Sequence, residues 1–145
     1  FPKIFSSETA YQITSMLNGV VKRGTGKKLR NLNLDIAGKT GTTNNNTDAW
    51  FVGFSPYLAA GVWFGVDDPK VSLGAKQDGS RAALPAWARF MKAAHDSMDW
   101  KHQSFSKPDG VIQQKICSTS KAYPSRLCPT EDEFFIKKFG TRAFR

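Results

Sequence analysis

One segment organises the chain: Ile36-Ala37-Gly38-Lys39-Thr40-Gly41-Thr42-Thr43, followed directly by Asn44-Asn45-Asn46-Thr47-Asp48. Apolar residues lead into a cation, two hydroxyls and a glycine at four consecutive positions, and the polar run after them predicts a turn. Because side chains alternate between the faces of a strand, Thr40 and Thr42 are expected on one face and Lys39 and Gly41 on the other. We interpret the segment as a strand that carries a binding site.

The residue types of this strand suit an anionic or peptide-like ligand. Two hydroxyls about 7 Å apart, with backbone N–H groups between them, can hold a carboxylate or a peptide carbonyl. Lys39 adds positive charge, and Gly41 lets a ligand backbone approach closely. An ordinary strand that ends in a polar turn stays open as an alternative. A phosphate-binding loop is disfavoured, because it would need a glycine where Asn33 lies.

Composition limits the other possibilities. The 145 residues are 40% hydrophobic and 12% aromatic, which excludes a disordered chain and indicates one domain or part of one. The net charge is +9, and the basic residues are most closely spaced within residues 22–30. No aromatic residues alternate with these cations, so we expect no nucleic-acid partner; a solvated surface and an anionic wall or membrane surface stay open. The sequence has no apolar run of 18 residues that could cross a membrane. Its start at Phe1, without an initiator Met, leads us to expect a piece of a longer protein.

Two amphipathic helices are predicted from apolar residues spaced three and four apart. The first begins at Ser7, the expected cap, and ends near Gly24, the expected left-handed terminal residue. The second runs from Leu84 to Met98 and is expected to cover a sheet. His95, near its end, is expected to interact with the helix dipole.

Two further strands are predicted after the first. Residues 50–54 and 58–66 are aromatic and β-branched, and the short break between them predicts an antiparallel hairpin. With the first strand they form an antiparallel meander of at least three strands. We expect Trp50 and Trp63 to pack in the core. Residues 27–33 are predicted to be a polar connection into the sheet.

Residues 101–145 lack this periodicity and carry more basic than acidic residues, so we interpret them as a basic C-terminal appendage. Cys117 and Cys128 are the only cysteines. With no histidine nearby they lack the ligands for a zinc site, and they fit either a disulfide or two free thiols. The sequence predicts no metal and no cofactor.

Four blocks carry a resemblance to a known family. They are Ala37-Gly38-Lys39-Thr40-Gly41-Thr42-Thr43, Asp48-Ala49-Trp50-Phe51-Val52-Gly53-Phe54, Gly61-Val62-Trp63-Phe64-Gly65-Val66-Asp67-Asp68-Pro69 and Ala82-Ala83-Leu84-Pro85-Ala86-Trp87. Together they resemble the C-terminal half of the transpeptidase domain of class A, bifunctional penicillin-binding proteins. The resemblance implies an α+β fold, part of the penicillin-binding and serine β-lactamase-like transpeptidase fold, with an antiparallel sheet of at least three strands covered by helices. It implies an incomplete C-terminal lobe at residues 1–100 and the appendage at 101–145.

The resemblance also implies an activity. In this family a serine attacks the D-Ala-D-Ala carbonyl of a peptidoglycan stem peptide, or a β-lactam ring, and a neighbouring amine resolves the acyl-enzyme into a crosslink. By resemblance, Lys39 and Thr42 are catalytic, Lys39 in the cationic network around the nucleophile and the N–H of Thr42 in the oxyanion hole. The implied substrate-binding residues are Thr40, Gly41, Thr42 and Thr43. The implied location is the extracytoplasmic face of the bacterial inner membrane, the periplasm, with the membrane anchor outside this chain.

Two motifs of the family are missing. The segments from Ser104 to Lys107 and from Ser118 to Lys121 match S-x-x-K in letters, but neither can open a helix ahead of Lys39. No serine has an asparagine two positions later, so S-x-N is absent as well. We therefore expect the nucleophile to lie outside this chain, the chain alone to be inactive, and its exposed sheet edge to cause self-association. The alternative is a non-catalytic binding module for an anionic glycan or protein partner.

Overall fold

The computed structural model describes residues 2–68 and 70–138. The elements are α1 (Ser7–Arg23), a 3₁₀ helix (Lys27–Leu32), β1 (Ala37–Thr42), a second 3₁₀ helix (Asn44–Asn46), β2 (Asp48–Phe54), β3 (Ala59–Gly65), α2 (Ala83–Ser97), β4 (Val111–Cys117) and β5 (Thr130–Ile136). Residues 16–105 form one compact unit, the sheet unit. Residues 2–15 together with residues 106–138 form a second, the hairpin unit. No helix in the described part of the chain is long and apolar enough to cross a membrane.

The sheet unit is built on an antiparallel sheet with the strand order β1-β2-β3. Thr40 lies opposite Phe51, and Trp50 lies opposite Trp63. Helix α2 packs against β2 and β3. The predicted α+β fold, with an antiparallel meander covered by helices, is confirmed.

The core of the sheet unit lies between α2 and the sheet. Trp87 of α2 is fully buried and lies edge-on to Phe51, with 5.0 Å between the ring centroids. Its Nε1 donates to the carbonyl of Ala60 at 2.9 Å. A Cβ at Gly53 would lie 2.9 Å from Trp87 Cζ2, so glycine is what lets the helix approach this closely. Other buried residues complete the core: Val21, Leu29, Ile36, Ala83, Leu84 and Met91.

Trp50 and Trp63 lie outside this core, so the prediction that they pack inside it is wrong. They are 44% and 45% exposed, and their rings lie 6.2 Å apart. Phe51 and the opposite Val62 take the α2 face of the sheet, and alternation then turns both tryptophans to the other face. Apolar character in the sequence does not indicate which face the helix covers.

Both ends of α1 differ from prediction in detail. The cap is Ser6 and not Ser7, because Ser6 Oγ accepts the N–H of Thr9 at 3.1 Å. At the other end, Gly24 is not left-handed; its N–H bonds to the carbonyl of Val20 at 3.0 Å. A Cβ at Gly24 would lie 2.9 Å from that oxygen, so close approach requires glycine at this position.

The connection between α1 and β1 is more ordered than predicted. Residues Lys27–Leu32 form a 3₁₀ helix, and Leu29 is fully buried in the core. Asn33 then adopts a left-handed conformation with φ of 53°, which suits asparagine better than most residues. A single buried leucine in a polar sequence gives no helical period, so the sequence predicts only a polar connection here.

His95 is buried and bonds to a side chain, a contact that the helix-dipole interpretation did not include. Its Nε2 shares a hydrogen bond of 3.0 Å with Ser55 Oγ, and its ring packs edge-on against Tyr57 and Trp100. Ser55 Oγ also accepts the N–H of Leu58 at 3.3 Å. The pair therefore joins the end of α2 to the turn between β2 and β3.

The hairpin unit pairs β4 with β5 in antiparallel register, so much of the predicted basic appendage is a two-stranded sheet. Phe134 anchors it: the ring lies edge-on to Tyr11 at 5.3 Å, and the carbonyl accepts a bond from Gln12 Nε2 at 3.0 Å. Cys117 and Cys128 form a disulfide, so of the two alternatives, a disulfide or two free thiols, the structure has the disulfide. Residues 139–145 of the predicted appendage lie outside the described residues.

Removing the disulfide is expected to destabilise the hairpin unit by about 3 kcal/mol, because the bridge closes a short loop in the unfolded chain. The half-cystines are 11 residues apart in sequence. The measurement is urea unfolding by circular dichroism for the variant with Cys117→Ser and Cys128→Ser. The wild-type chain in excess thiol reductant should match the variant. A variant as stable as the oxidised chain would contradict this role.

Candidate functional site

The candidate site is the open edge of β1. In residues 2–68 and 70–138, β1 pairs with a strand on the β2 side only. The N–H of Thr43 donates to the carbonyl of Asp48 at 3.1 Å, which extends the ladder by one hydrogen-bonded pair. Bonded and non-bonded pairs alternate in an antiparallel ladder, so Gly41 also bonds to β2. The backbone groups of Thr42 and Thr40 therefore turn to the open edge.

Lys39 reaches the same edge from the opposite face of the sheet. In register it lies opposite Val52, whereas Thr40 lies opposite Phe51 on the α2 face. The lysine side chain bends back, and its Nζ donates to the carbonyl of Thr40 at 2.9 Å. Alternation thus separates the side chains as predicted, while the ammonium group returns to the edge. The cation and the outward-facing backbone groups of β1 therefore lie at the same edge.

The hydroxyls of Thr40 and Thr42 are held by other parts of the sheet unit. Thr40 Oγ1 shares a hydrogen bond of 3.1 Å with Oγ1 of Thr25, which follows α1. Thr42 Oγ1 accepts the N–H of Gly79 at 3.1 Å. A hydroxyl has one donor and two acceptor positions, so Thr42 Oγ1 can still donate to a carboxylate.

Gly79 closes the α2 face of the sheet over Gly41. A Cβ at position 79 would lie 2.3 Å from the carbonyl oxygen of Trp50 and 2.8 Å from that of Gly41, so only glycine allows this approach. Asp78 orders the loop, because its Oδ1 accepts the hydroxyl of Ser80 at 2.6 Å and the N–H of Ser80 at 2.8 Å. The Ser80 hydroxyl is the main cause of a lowered pKa at Asp78.

A hydrogen-bonded turn follows β1. Thr43 Oγ1 accepts the N–H of Asp48 at 2.8 Å and lies 2.7 Å from Thr47 Oγ1. The carboxylate of Asp48 accepts the indole N–H of Trp63 at 2.8 Å and the hydroxyl of Thr47 at 3.1 Å. These bonds, the indole N–H first, hold the pKa of Asp48 below its usual value. The polar run after β1 therefore forms a turn, as predicted, and hydrogen bonds hold that turn in one conformation.

Neither S-x-x-K segment opens a helix in the structure. Ser104 lies in an irregular segment, and Ser118 Oγ donates to the carbonyl of Pro129 at 3.0 Å. Lys107 Nζ donates to the carbonyl of Val111 at 2.9 Å, and Lys121 pairs with Glu131. The described residues therefore give neither segment the helical setting that the motif needs.

Comparison with known proteins decides the family. Residues 3–92 match the family profile described as the penicillin binding protein transpeptidase domain. The chain belongs to this family. The predicted resemblance to class A penicillin-binding proteins is confirmed by the relatives described next.

Several penicillin-binding proteins 1A are similar to the chain. That of Pseudomonas aeruginosa is 41% identical over 115 residues, which are 79% of this chain and 14% of the relative. That of Clostridium tetani is 38% identical over 143 residues, which are 93% of this chain and 18% of the relative. The crystal structure of penicillin-binding protein 1A from Haemophilus influenzae has a TM-score of 0.81 and 31% identity, covering 93% of this chain and 21% of that one. The chain thus spans less than a quarter of these penicillin-binding proteins.

Sequence reasoning did not single out four residues that shape the β1 edge in this penicillin-binding protein segment: Thr25, Asp48, Trp63 and Gly79. Thr25 and Gly79 lie in loops, and nothing in the sequence indicates that these loops meet β1. Asp48 and Trp63 lie in the blocks that carry the resemblance. A hairpin centred on the break at 55–57 places Trp63 opposite Trp50, and therefore close to Asp48. This predicted register is the one sequence signal that could have indicated the contact between Asp48 and Trp63.

Proposed function

We propose that the chain forms one wall of the D,D-transpeptidase cleft of a class A penicillin-binding protein. The observation that carries the proposal is the open β1 edge, where the ammonium group of Lys39 bonds to the carbonyl of Thr40 and the backbone groups of Thr42 face outward. An extended peptide can pair with such an edge as an added strand. A D-Ala-D-Ala stem peptide offers both the strand and the terminal carboxylate that a nearby cation attracts. A β-lactam offers the same two features to the site.

In the complete protein, the reaction has two steps. A serine hydroxyl attacks the carbonyl of the penultimate D-Ala, and its proton passes to a base. The base returns that proton to the amide nitrogen as the C–N bond breaks, and the terminal D-Ala leaves. The amine of a neighbouring stem then attacks the ester and loses a proton to the base. The proton passes to the serine oxygen as the ester bond breaks, which forms the crosslink and frees the serine. In both steps the N–H of Thr42 donates to the oxyanion, and Lys39 supplies positive charge near the nucleophile.

The other residues of the edge bind and orient the peptide. Thr40 and Thr42 hold the carboxylate or a carbonyl, and Gly41 leaves room for the peptide backbone. Thr43, predicted from the resemblance as a fourth substrate-binding residue, stays a prediction. Its hydroxyl already bonds within the turn.

The nucleophile and its base lie outside these residues in our proposal, and the chain alone is inactive. The context of the two S-x-x-K segments supports this division of labour. The lobe boundary near residue 100, the self-association of the isolated chain and the absence of a nucleic-acid partner stay predictions.

We place the complete protein at the extracytoplasmic face of the bacterial inner membrane, in the periplasm, with its anchor outside this chain. The disulfide between Cys117 and Cys128 supports this location, because disulfides persist in oxidising compartments such as the periplasm.

Covalent labelling tests the proposal. The 145-residue chain and the complete protein are incubated with a fluorescent penicillin and separated under denaturing conditions. We expect label on the complete protein and none on the chain, because the acyl-enzyme needs the serine. Excess unlabelled penicillin, added first, should prevent the label. Label on the chain would overturn the placement of the nucleophile. An unlabelled complete protein would favour the alternative, a non-catalytic module for an anionic glycan or protein partner.

A further inference from the structure

One carboxylate ties the end of β1 to β3. Asp48 Oδ1 accepts the indole N–H of Trp63 at 2.8 Å, and Oδ2 accepts the hydroxyls of Thr47 at 3.1 Å and Thr43 at 3.3 Å. The backbone of Asp48 bonds to Thr43 twice more, through its carbonyl at 3.1 Å and its N–H at 2.8 Å. Asp48 therefore joins the turn after β1, the start of β2 and the side chain of a β3 residue.

The indole reaches this carboxylate because a glycine leaves space for it. A Cβ at Gly65 would lie 2.1 Å from Trp63 Cζ2, and Gly65 lies opposite Asp48 in the β2–β3 register. Trp63 remains 45% exposed, so burial does not account for the position of its ring. The ring lies across the backbone with its N–H directed at the carboxylate.

Loss of this network would leave the core of the sheet unit intact but would release Thr43. None of its four residues, Thr43, Thr47, Asp48 and Trp63, belongs to the buried core. Thr43 directly follows Thr42, and the turn after it contains Asn45 and Asn46 at left-handed φ values of 66° and 55°. The N–H of Leu73 and the hydroxyl of Ser72 hold the middle of this turn, donating to the carbonyls of Asn46 at 2.8 Å and Asn45 at 2.7 Å. The N–H and the hydroxyl of Thr43 itself bond to Asp48, so Asp48 fixes the residue that follows Thr42.

We propose that Asp48 is a positioning residue that fixes the N–H of Thr42 through Thr43, and that Trp63 orients its carboxylate. This inference rests on the proposed function, in which that N–H donates to the oxyanion. A catalytic group displaced by about 1 Å can cost about 100-fold in rate, so a small movement of Thr43 is enough to matter. The hydrogen bonds to Asp48, that from the indole N–H of Trp63 first, lower the pKa of its carboxyl, because they favour the ionised form that accepts them.

The test uses the complete penicillin-binding protein and the rate of acylation by a fluorescent penicillin. Asp48→Asn removes the charge at constant shape, and Trp63→Phe removes the indole N–H but keeps an aromatic ring. The matched control is Asp96→Asn, which removes an exposed carboxylate paired with Lys92 on α2. The melting temperature and the label at completion are measured for each protein.

We expect the first-order acylation constant to fall about 10- to 100-fold in both variants, with the half-saturating penicillin concentration nearly unchanged. The amount of penicillin bound per protein at the end of the reaction should equal that of wild type, and the melting temperature should stay within about 3 °C of wild type. The variant with both Asp48→Asn and Trp63→Phe should acylate no more slowly than the slower single variant, because the two substitutions weaken the same hydrogen bond between Trp63 and Asp48. The control should match wild type.

Wild-type acylation rates in both variants would overturn the inference, and so would additive losses in the double variant. If Asp48→Asn melts far below wild type, Thr43→Val decides, because it removes the hydroxyl at similar volume. A wild-type rate in that variant overturns the inference, and so does a slowed reaction that comes only from a raised half-saturating penicillin concentration. A lower first-order acylation constant at normal stability, with that concentration unchanged, supports the inference. If the wild-type complete protein takes up no label, the result contradicts the proposed function, and the inference about Asp48 is not reached.

Discussion

Lys39→Gln in the complete penicillin-binding protein is expected to lower the rate of acylation by penicillin about 10²- to 10³-fold, the range found when one preorganised electrostatic group is removed from a transition state. The structure brings Lys39 Nζ to the β1 edge, 2.9 Å from the carbonyl of Thr40. Glutamine cannot supply the positive charge there. The loss should therefore appear in the rate and not in the stability of the protein.

The experiment compares time courses of covalent labelling at several penicillin concentrations. Lys92→Gln is the matched control, because Lys92 is an exposed lysine on α2 that pairs with Asp96. The control should acylate like the wild type. A Lys39→Gln protein that acylates at the wild-type rate would show that this lysine has no part in the chemistry.

Trp87→Ala is expected to lower the free energy of unfolding of the isolated chain by about 3–5 kcal/mol. The substitution empties a fully buried site beside Phe51 and removes the donor to the carbonyl of Ala60. Since whole domains are stable by only about 5–15 kcal/mol, the variant should lose a large share of its stability and unfold at a much lower urea concentration.

Urea unfolding followed by circular dichroism measures this loss. Phe90→Ala serves as the control, because Phe90 is an aromatic residue on the same helix but is about half exposed. We expect the control to lose less than about 1 kcal/mol. Equal losses in the two variants would mean that Trp87 is not the centre of the core.

The sequence predicted the elements well where one local signal was sufficient. The apolar and β-branched runs located the strands of the meander, and the helical period located α2 to within a residue of its observed bounds at Ala83 and Ser97. Glycine and the polar run marked the end of α1 and the turn after β1. The edge position of Lys39 could not be predicted, because it depends on how the side chain bends and not on alternation.

Contacts between distant segments account for the other differences. Trp50 and Trp63 are large and apolar, which is why the sequence predicts them in the core. Which face of the sheet is buried depends on the face against which α2 packs, and a local sequence pattern does not show this. The bond between His95 and Ser55 joins positions 40 residues apart. The hairpin of β4 and β5 was missed because β5 is acidic along Glu131, Asp132 and Glu133, which hides its strand character.

Gly79 gives the two sides of the β1 edge different amounts of room. A strand added at this edge would project successive substituents alternately up and down. On one side the loop at Gly79 lies against the backbone of Gly41 and Trp50; the other side carries the lysine and the tryptophan rings. Inverting one stereocentre of a bound peptide would move its substituent from one of these surroundings to the other. Chiral selection at this edge can therefore come from a glycine in a loop, without any side chain dedicated to it.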